Sequence, residues 1–242
     1  MKMNKIKSLL LLFSLFAPLL YVAQIHSARI VFERKTNLYK KFAKDRDVSS
    51  WVKEEDKIKV DNFELFVSDT ISLFRPQESD LRETLSWTTS KNTVYQNFKS
   101  GQRYLVKPMW GEQLHLTDTL FRRQWKISNS TRKIAGYTCR KASWDANDST
   151  RIYAWFSYDI VPSTGPESFF GLPGTILGIA TENGGVVYFA KTVELMAAPP
   201  STFQLPKKKK VYTVPELKAD LSKQYGHEKW FKGLYDENFG IW

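Results

Sequence analysis

The residues best suited to chemistry are two carboxylates, Asp159 and Glu167, which flank a segment rich in glycine and proline. Two carboxyl groups that face one cleft can act as acid and base, or as acid and nucleophile, in a hydrolase. A carboxylate-dependent hydrolase therefore predicts that both side chains converge in one cleft. The alternative is a pair of surface acids in turns, which needs no shared geometry, and we favour it.

Other catalytic groups are scarce in this chain of 242 residues. Its single cysteine, Cys139, lies in a segment of alternating polarity, and we expect a small buried hydrophobe there rather than a nucleophile. The three histidines, His26, His115 and His227, form no HExxH motif, and the sequence has no CxxC, P-loop, GxGxxG or GxSxG pattern. We therefore expect no metal and no cofactor, and we favour a protein that is not an enzyme, with the hydrolase left open as the alternative.

A cluster of aromatic residues offers a binding site instead. Aromatic rings around a stiff turn can cradle an apolar ligand on a curved sheet, or they can simply fill the core beside the turn. For the first of these interpretations the predicted binding residues are Trp155, Phe156, Tyr158, Phe169, Phe170, Gly171, Leu172, Pro173 and Gly174.

Local physics specifies the structure around residues 171–174. Proline fixes one backbone angle, and glycine accepts a positive φ without steric cost, so this segment predicts a shaped turn with apolar flanks. Residues 175–181 read as a buried strand, Asn183-Gly184 is a strong hairpin signal, and residues 186–194 give the return strand. We therefore expect the turn to join consecutive strands of one sheet.

The same region resembles the signature of the GLPGLI family, a group of exported proteins found mainly in Bacteroidetes. The matching pieces are Gly136-Tyr137-Thr138-Cys139-Arg140-Lys141-Ala142, Ala154-Trp155-Phe156, Asp159-Ile160, Gly165-Pro166, Phe170, Gly171-Leu172-Pro173-Gly174 and Ile176-Leu177. The chain departs from the pattern at Thr175, where the family has an apolar residue, and at Gly178, where it has an acidic one. The family has no established activity, so the resemblance implies export and a fold and does not indicate a reaction.

Residues 1–24 have the pattern of a secretory signal peptide. Lys2, Lys5 and Lys7 precede the apolar stretch Ser8–Leu20, which is shorter than the ~20 residues that a spanning helix needs. We expect cleavage near Ala23-Gln24 and a soluble mature protein in the periplasm or outside the cell. Export would separate the chain from nucleic acid, despite a net charge of +11.

Short strands at regular spacing, without long helices between them, predict a mainly β fold: a curved antiparallel meander sheet or half-barrel. The candidates include the hairpin 63–74, the hairpin 93–106 and the segment Arg132–Trp144. Thr213 and Glu216 have the spacing of a capping box, which predicts a C-terminal helix over Thr213–Tyr225.

These patterns predict three regions: the signal peptide at 1–24, an antiparallel β domain at 25–200 that carries the turn, and residues 201–242, with a basic linker, a helix and an aromatic tail packed on the same domain. Lys207, Lys208, Lys209 and Lys210 could contact an anionic membrane surface, or form a solvated run. The favoured function is non-catalytic binding of a hydrophobic or peptide-like ligand, or of a protein partner, in the cell envelope. The alternatives are the carboxylate-dependent hydrolase and a structural envelope protein.

Overall fold

A computed structural model describes residues 24–43, 50–77, 85–109, 111–207, 210–228 and 231. These residues form one open, mainly antiparallel sheet of twelve strands with a C-terminal helix, which confirms the predicted mainly β class. The signal peptide predicted at 1–24 lies outside the described residues, except for Gln24. The strands are β1 (Ala28–Asn37), β2 (Ile58–Val67), β3 (Ile71–Pro76), β4 (Thr93–Asn97), β5 (Gln102–Met109), β6 (Glu112–Thr119), β7 (Lys126–Ile134), β8 (Tyr137–Asn147), β9 (Thr150–Ser157), β10 (Thr175–Thr181), β11 (Val186–Leu195) and β12 (Tyr212–Thr213).

The sheet contains two antiparallel meanders, β1–β6 and β7–β11, which join where β1 pairs with β11. Its order is β12-β6-β5-β4-β3-β2-β1-β11-β10-β9-β8-β7. Strand β1 pairs with β2 along its whole length and on its other side with β11, where Ala28 lies opposite Leu195. Residues far apart in the sequence therefore meet within the sheet.

The sheet curls at the β7 end, since a side chain of β7 contacts β11, from which β7 is separated by three strands. The guanidinium carbon of Arg132 lies 4.7 Å from the centre of the Phe189 ring on β11. Gly178 on β10 makes room for that ring, since a Cβ there would lie 2.6 Å from Cε1 of Phe189 and 3.1 Å from Cδ1 of Ile134.

The main core lies on one face of this sheet, where strand alternation collects the apolar side chains. Phe32, Phe63 and Phe74 are buried there, and the rings of Phe63 and Phe74 stack at 4.9 Å. The loop between β9 and β10 adds Phe169 and Leu172 to the same core. That loop therefore covers the apolar face of the sheet.

Two helices have defined ends. The short α1 (Leu38–Lys41) follows β1, and α2 (Val214–Tyr225) begins after Thr213, whose side chain accepts from the Glu216 N–H while the Glu216 carboxylate accepts from the Thr213 N–H. This capping box confirms the predicted helix. The helix packs in a second, smaller core, and β12 adds to β6 in parallel. The buried residues of this second core are Met109, Leu116, Leu217, Leu221 and Phe231. Within the described ranges, no helix has the length and apolar character needed to cross a bilayer.

The segment Arg132–Trp144 contains a turn as well as strand. Ala135 and Gly136 both have positive φ, 48° and 87°, and they close a two-residue hairpin between Ile134 and Tyr137. Such primed turns match the right-handed twist of the flanking strands. The glycine was the available signal for this turn.

Candidate functional site

Residues 158–174 link β9 to its neighbour β10 by a long loop held against the sheet. The Thr175 hydroxyl donates to the Pro162 carbonyl at 2.6 Å, and the Ile176 N–H donates to the Thr164 carbonyl at 2.8 Å. Gly174 has φ of +139°, and a Cβ there would lie 2.0 Å from the Ser157 carbonyl oxygen. The sequence correctly predicted a turn at residues 171–174 between consecutive strands. The close approach of the Ser157 carbonyl oxygen explains why the last residue of that turn is glycine.

Glu167 fastens the loop to the sheet. Its carboxylate accepts from the Tyr188 hydroxyl at 2.8 Å and from Nδ2 of Asn92 at 3.2 Å, and the residue is 2% exposed. Its φ is +54°, a region that residues other than glycine seldom adopt. Strain of this kind persists where surrounding contacts hold it and is frequent at functional sites. Here the contacts with Tyr188 and Asn92 supply that hold.

A buried ion pair lies beside this contact. Nη2 of Arg34 donates to Oδ2 of Asp61 at 2.6 Å, and the Thr89 hydroxyl donates to the same oxygen at 2.9 Å. Nη1 of Arg34 donates to the Tyr188 hydroxyl at 3.2 Å and lies 4.0 Å from Oε1 of Glu167. The Asp61 side chain has no exposed surface. One arginine therefore connects β1, β2, β11 and the loop.

The charges of this cluster shift the pKa values of its members. Burial opposes ionisation of Asp61 most strongly, but the charge and hydrogen bonds of Arg34, with help from Lys59 and Thr89, outweigh it and lower the pKa of Asp61. Burial also raises the pKa of Tyr188 well above its usual value of 10.0. The cluster is therefore built to hold an ionised aspartate and a neutral tyrosine.

The next loop residue, Ser168, lies between two further arginines. Nη1 of Arg103 donates to its hydroxyl at 3.2 Å, and Nη1 of Arg123 donates to its carbonyl at 2.9 Å. The guanidinium carbon of Arg123 lies over two aromatic rings, 4.0 Å from the centre of Phe169 and 5.1 Å from that of Trp144. Three arginines from separate segments thus contact two consecutive loop residues.

The predicted aromatic binding residues are divided among several surroundings. Phe156, Phe169 and Leu172 lie in the core, and Gly174 and Phe170 are also buried, with Phe170 6.2 Å from Phe98. Gly171 and Pro173 are exposed at the turn.

The other two predicted rings lie elsewhere. Trp155 contacts Phe189 at 5.5 Å, and alternation along β9 places it on the opposite face from Phe156. Tyr158 is 49% exposed and lies 5.0 Å from the Phe156 ring. The rings therefore do not form one surface.

The predicted acid pair has separate partners. Asp159 accepts from the Ser157 hydroxyl at 3.3 Å, and its carbonyl accepts from the Ile25 N–H at 2.9 Å. Glu167 contacts Tyr188 and Asn92 instead. A joint catalytic role for the two carboxylates stays a prediction.

Other candidates from the sequence have simple surroundings. Cys139 is buried, and burial raises the pKa of its thiol to about 12, which keeps it protonated. Lys207 is exposed, Lys210 lies 3.9 Å from Asp220, and Lys208 and Lys209 lie outside the described residues. Across the described part of the chain, no group of three or more His, Cys, Asp or Glu side chains is arranged to hold a metal ion.

Sequence reasoning missed the buried charged residues, although a signal existed. Arg34 has the strand parity of Ile30 and Phe32, and Asp61 has that of Phe63. Residues two apart on a strand face the same side, so two opposite charges at inward positions indicated a buried pair.

Strand β7 forms an open edge of the sheet. Within the described residues it pairs only with β8, and every residue from Lys126 to Lys133 is exposed. A two-residue turn makes Ile134 and Tyr137 a hydrogen-bonded pair, and such pairs alternate along an antiparallel ladder. The backbone N–H and C=O groups of Lys133 and Thr131 therefore point away from β8. At the opposite end of the sheet, the two-residue β12 leads directly into α2.

The comparison with family models gives a partial match. A family model described as "Protein of unknown function (Porph_ging)" matches residues 144–178, which run from β8 through the loop into β10. No curated protein matches the sequence.

Among solved structures, the chain is similar to PNGF-II in its C2 crystal form, with a TM-score of 0.52 and 18% identity. The P21 form of PNGF-II gives a TM-score of 0.52 and 16% identity. Each match covers 78% of this chain but only 31% of PNGF-II. At these identities the likeness establishes a shared fold.

Proposed function

We propose that this chain is an exported, non-catalytic binding protein of the cell envelope, of the GLPGLI type, which binds an extended acidic segment of a partner protein along β7. The observation that carries this proposal is the open edge of β7, with the backbone groups of Thr131 and Lys133 facing outward. An added strand gains main-chain hydrogen bonds at such an edge. The partial match of the family model and the leader-like first 24 residues support the location.

The charge of the edge selects the partner. Strand β7 carries Lys126, Arg132 and Lys133 and no carboxylate. A second copy of β7 would place basic strand against basic strand, and like charges directly opposite are unfavourable. An acidic segment would instead be attracted to the basic side chains of β7. The charge of this edge therefore favours an acidic partner over a second copy of the chain.

A bulge limits where pairing can occur. The register with β8 shifts between Ile127 and Thr131, and Arg140 holds this bulge by donating to the Ser128 carbonyl at 2.7 Å and to Oδ1 of Asn129 at 2.7 Å. A bulge interrupts the regular ladder. The added strand should therefore pair with residues 131–134. We favour a peptide over an apolar ligand because the predicted aromatic rings are divided between the core and two surfaces.

The test uses a fluorescent peptide of alternating threonine and glutamate, with a threonine–lysine peptide as its control. We expect the acidic peptide to bind, more weakly as salt rises, and the basic peptide to remain unbound. Thr131→Pro removes an outward N–H, which edge strands tolerate, so the fold should persist while binding is lost. Thr131→Val keeps that N–H and should bind normally. Equal binding by the two variants, or no binding of the acidic peptide by the native chain, would refute the proposal.

The location is tested separately. Residues 1–24 fused to a phosphatase that is active only outside the cytoplasm should give activity, and replacing Lys2, Lys5 and Lys7 with glutamate should reduce it. Retention of the full native chain in the cytoplasmic fraction of its own cells would contradict export.

A further inference from the structure

The arrangement of Arg103, Arg123 and Ser168 forms a second site, which does not depend on the edge of β7. Arg123 is only 8% exposed, and within the described residues no carboxylate lies within 4 Å of its guanidinium. Its Nε has no hydrogen-bond partner there. A buried cation without a counter-ion is costly, and burial together with the charge of Arg103 lowers the pKa of Arg123 to about 10.

Arg103 adds a second donor of the same kind. Its Nη2 donates to Oδ2 of Asp118 at 3.2 Å and its Nη1 to the Ser168 hydroxyl, but its Nε is also buried without a partner. Ser168 accepts through that hydroxyl oxygen, and within the described residues its own O–H has no bonded acceptor. Three donors without an acceptor therefore belong to this group of residues: the Nε–H groups of Arg103 and Arg123 and the O–H of Ser168.

Part of the site borders solvent. The side chain of Arg103 keeps 20% of its surface exposed, and that of Asp118 keeps 38%. Phe121, whose ring centre lies 5.5 Å from the Arg123 guanidinium carbon, is 60% exposed. Arg103 therefore reaches the surface on this side.

We infer that Arg103, Arg123 and Ser168 form a binding site for a small oxyanion, a carboxylate or a phosphate group. Arginine donors suit both groups, because charge-assisted hydrogen bonds to carboxylate and phosphate are short and strong. The oxyanion supplies the negative charge that Arg123 lacks and gives acceptors to the unpaired donors. Stacking on Phe169 holds the Arg123 guanidinium in place. The same ligand would fasten the loop at Ser168, next to the attachment at Glu167.

The probes are sodium phosphate and sodium acetate, each compared with sodium chloride at equal ionic strength. We expect a saturable rise in the melting temperature of the native chain with at least one of them, since a ligand that binds only the folded state stabilises it. A response to phosphate alone assigns the site to phosphate groups, and one to acetate alone assigns it to carboxylates. A response to neither, beyond that of chloride, would overturn the inference.

Variants locate the response. Arg123→Gln should abolish it, and Ser168→Ala, a smaller change that keeps the fold if Arg123→Gln does not, should weaken it by roughly fivefold, as expected for loss of one hydrogen bond. The matched control is Arg151→Gln, because Arg151 is exposed and pairs with Asp145 and Glu182. It should respond like the native chain. Unchanged responses in both Arg123→Gln and Ser168→Ala would place the anion elsewhere and refute this site.

Discussion

The carboxylate of Glu167 accepts a hydrogen bond from the Tyr188 hydroxyl at 2.8 Å, and this contact joins the loop between β9 and β10 to the first part of β11. Both residues are almost fully buried. The loop is therefore fixed by a polar contact in the interior as well as by the apolar residues on its flanks.

This contact predicts an energetic coupling between the two side chains. Glu167→Met, which removes both acceptor oxygens, and Tyr188→Phe, which removes the donor, should each destabilise the protein by about 1–3 kcal/mol, because each leaves a buried polar group without its partner. The double variant should lose less than the sum of the two. Urea unfolding of all four proteins measures the coupling. Strict additivity would show that the contact contributes no interaction energy.

Gly174→Ala should destabilise the protein severely. The new Cβ would meet the Ser157 carbonyl oxygen at 2.0 Å, and the φ of +139° is unfavourable for alanine. We expect a loss above about 3 kcal/mol from strain and overlap together. The control is Gly101→Ala, where φ is +70° but nothing lies within 4 Å of the new atom. It should cost about 1–2 kcal/mol. Similar melting temperatures for both variants would contradict the close approach at Gly174.

Gly178→Ala tests the curl of the sheet. The added methyl would lie 2.6 Å from the Phe189 ring, so we expect a loss of about 1–3 kcal/mol from overpacking. Phe189→Leu removes that ring, so Gly178→Ala should destabilise the Phe189→Leu variant less than it destabilises the native chain. Thermal unfolding of the single and double variants gives the comparison. If Gly178→Ala costs the same in both backgrounds, the ring does not occupy this space.

Asp61 predicts a loss of stability in acid. Its folded pKa lies below the ordinary value of 3.8, so the unfolded chain binds the proton more readily. The stabilisation is complete above 3.8 and is lost as the pH falls through the folded pKa. Unfolding free energies measured between about pH 6 and pH 2 should show this decline, superimposed on that of other acids. In Asp61→Asn, which is less stable at neutral pH, the decline should be smaller. An identical pH dependence in both proteins would exclude Asp61 as a contributor.

Local signals predicted local structure well. Asn183-Gly184 identified the hairpin between β10 and β11, and Thr213 with Glu216 identified the start of α2. Each signal involves residues within four positions of one another, so the sequence contains the whole interaction. The strand over Thr175–Thr181 was likewise predicted at its observed bounds, because its flanking turns are unmistakable.

Long-range pairing was not predictable by the same means. Nothing in the alternation of β1 shows that its neighbours are β2 and β11, since alternation reports which face is buried and not which strand lies beside it. The contact of Arg34 with Asp61 and Tyr188 depends on that pairing. The site around Ser168 was missed for the same reason, because Arg103 and Arg123 reach it from β5 and from the segment before β7.

The position of β1 between two meanders has a consequence for how the chain folds. Arg29 on β1 meets Glu194 on β11 across 165 positions of sequence, so these two strands can pair only after β11 has been synthesised. Contacts of such long range slow folding, because the entropy of closing the loop is lost before the contact forms. In a chain synthesised from its N-terminus, β1 could pair with β2 early. The backbone groups on the other edge of β1 would stay unpaired until β11 had been synthesised. During that interval a chaperone or a foreign strand would compete with β11 for the same backbone groups.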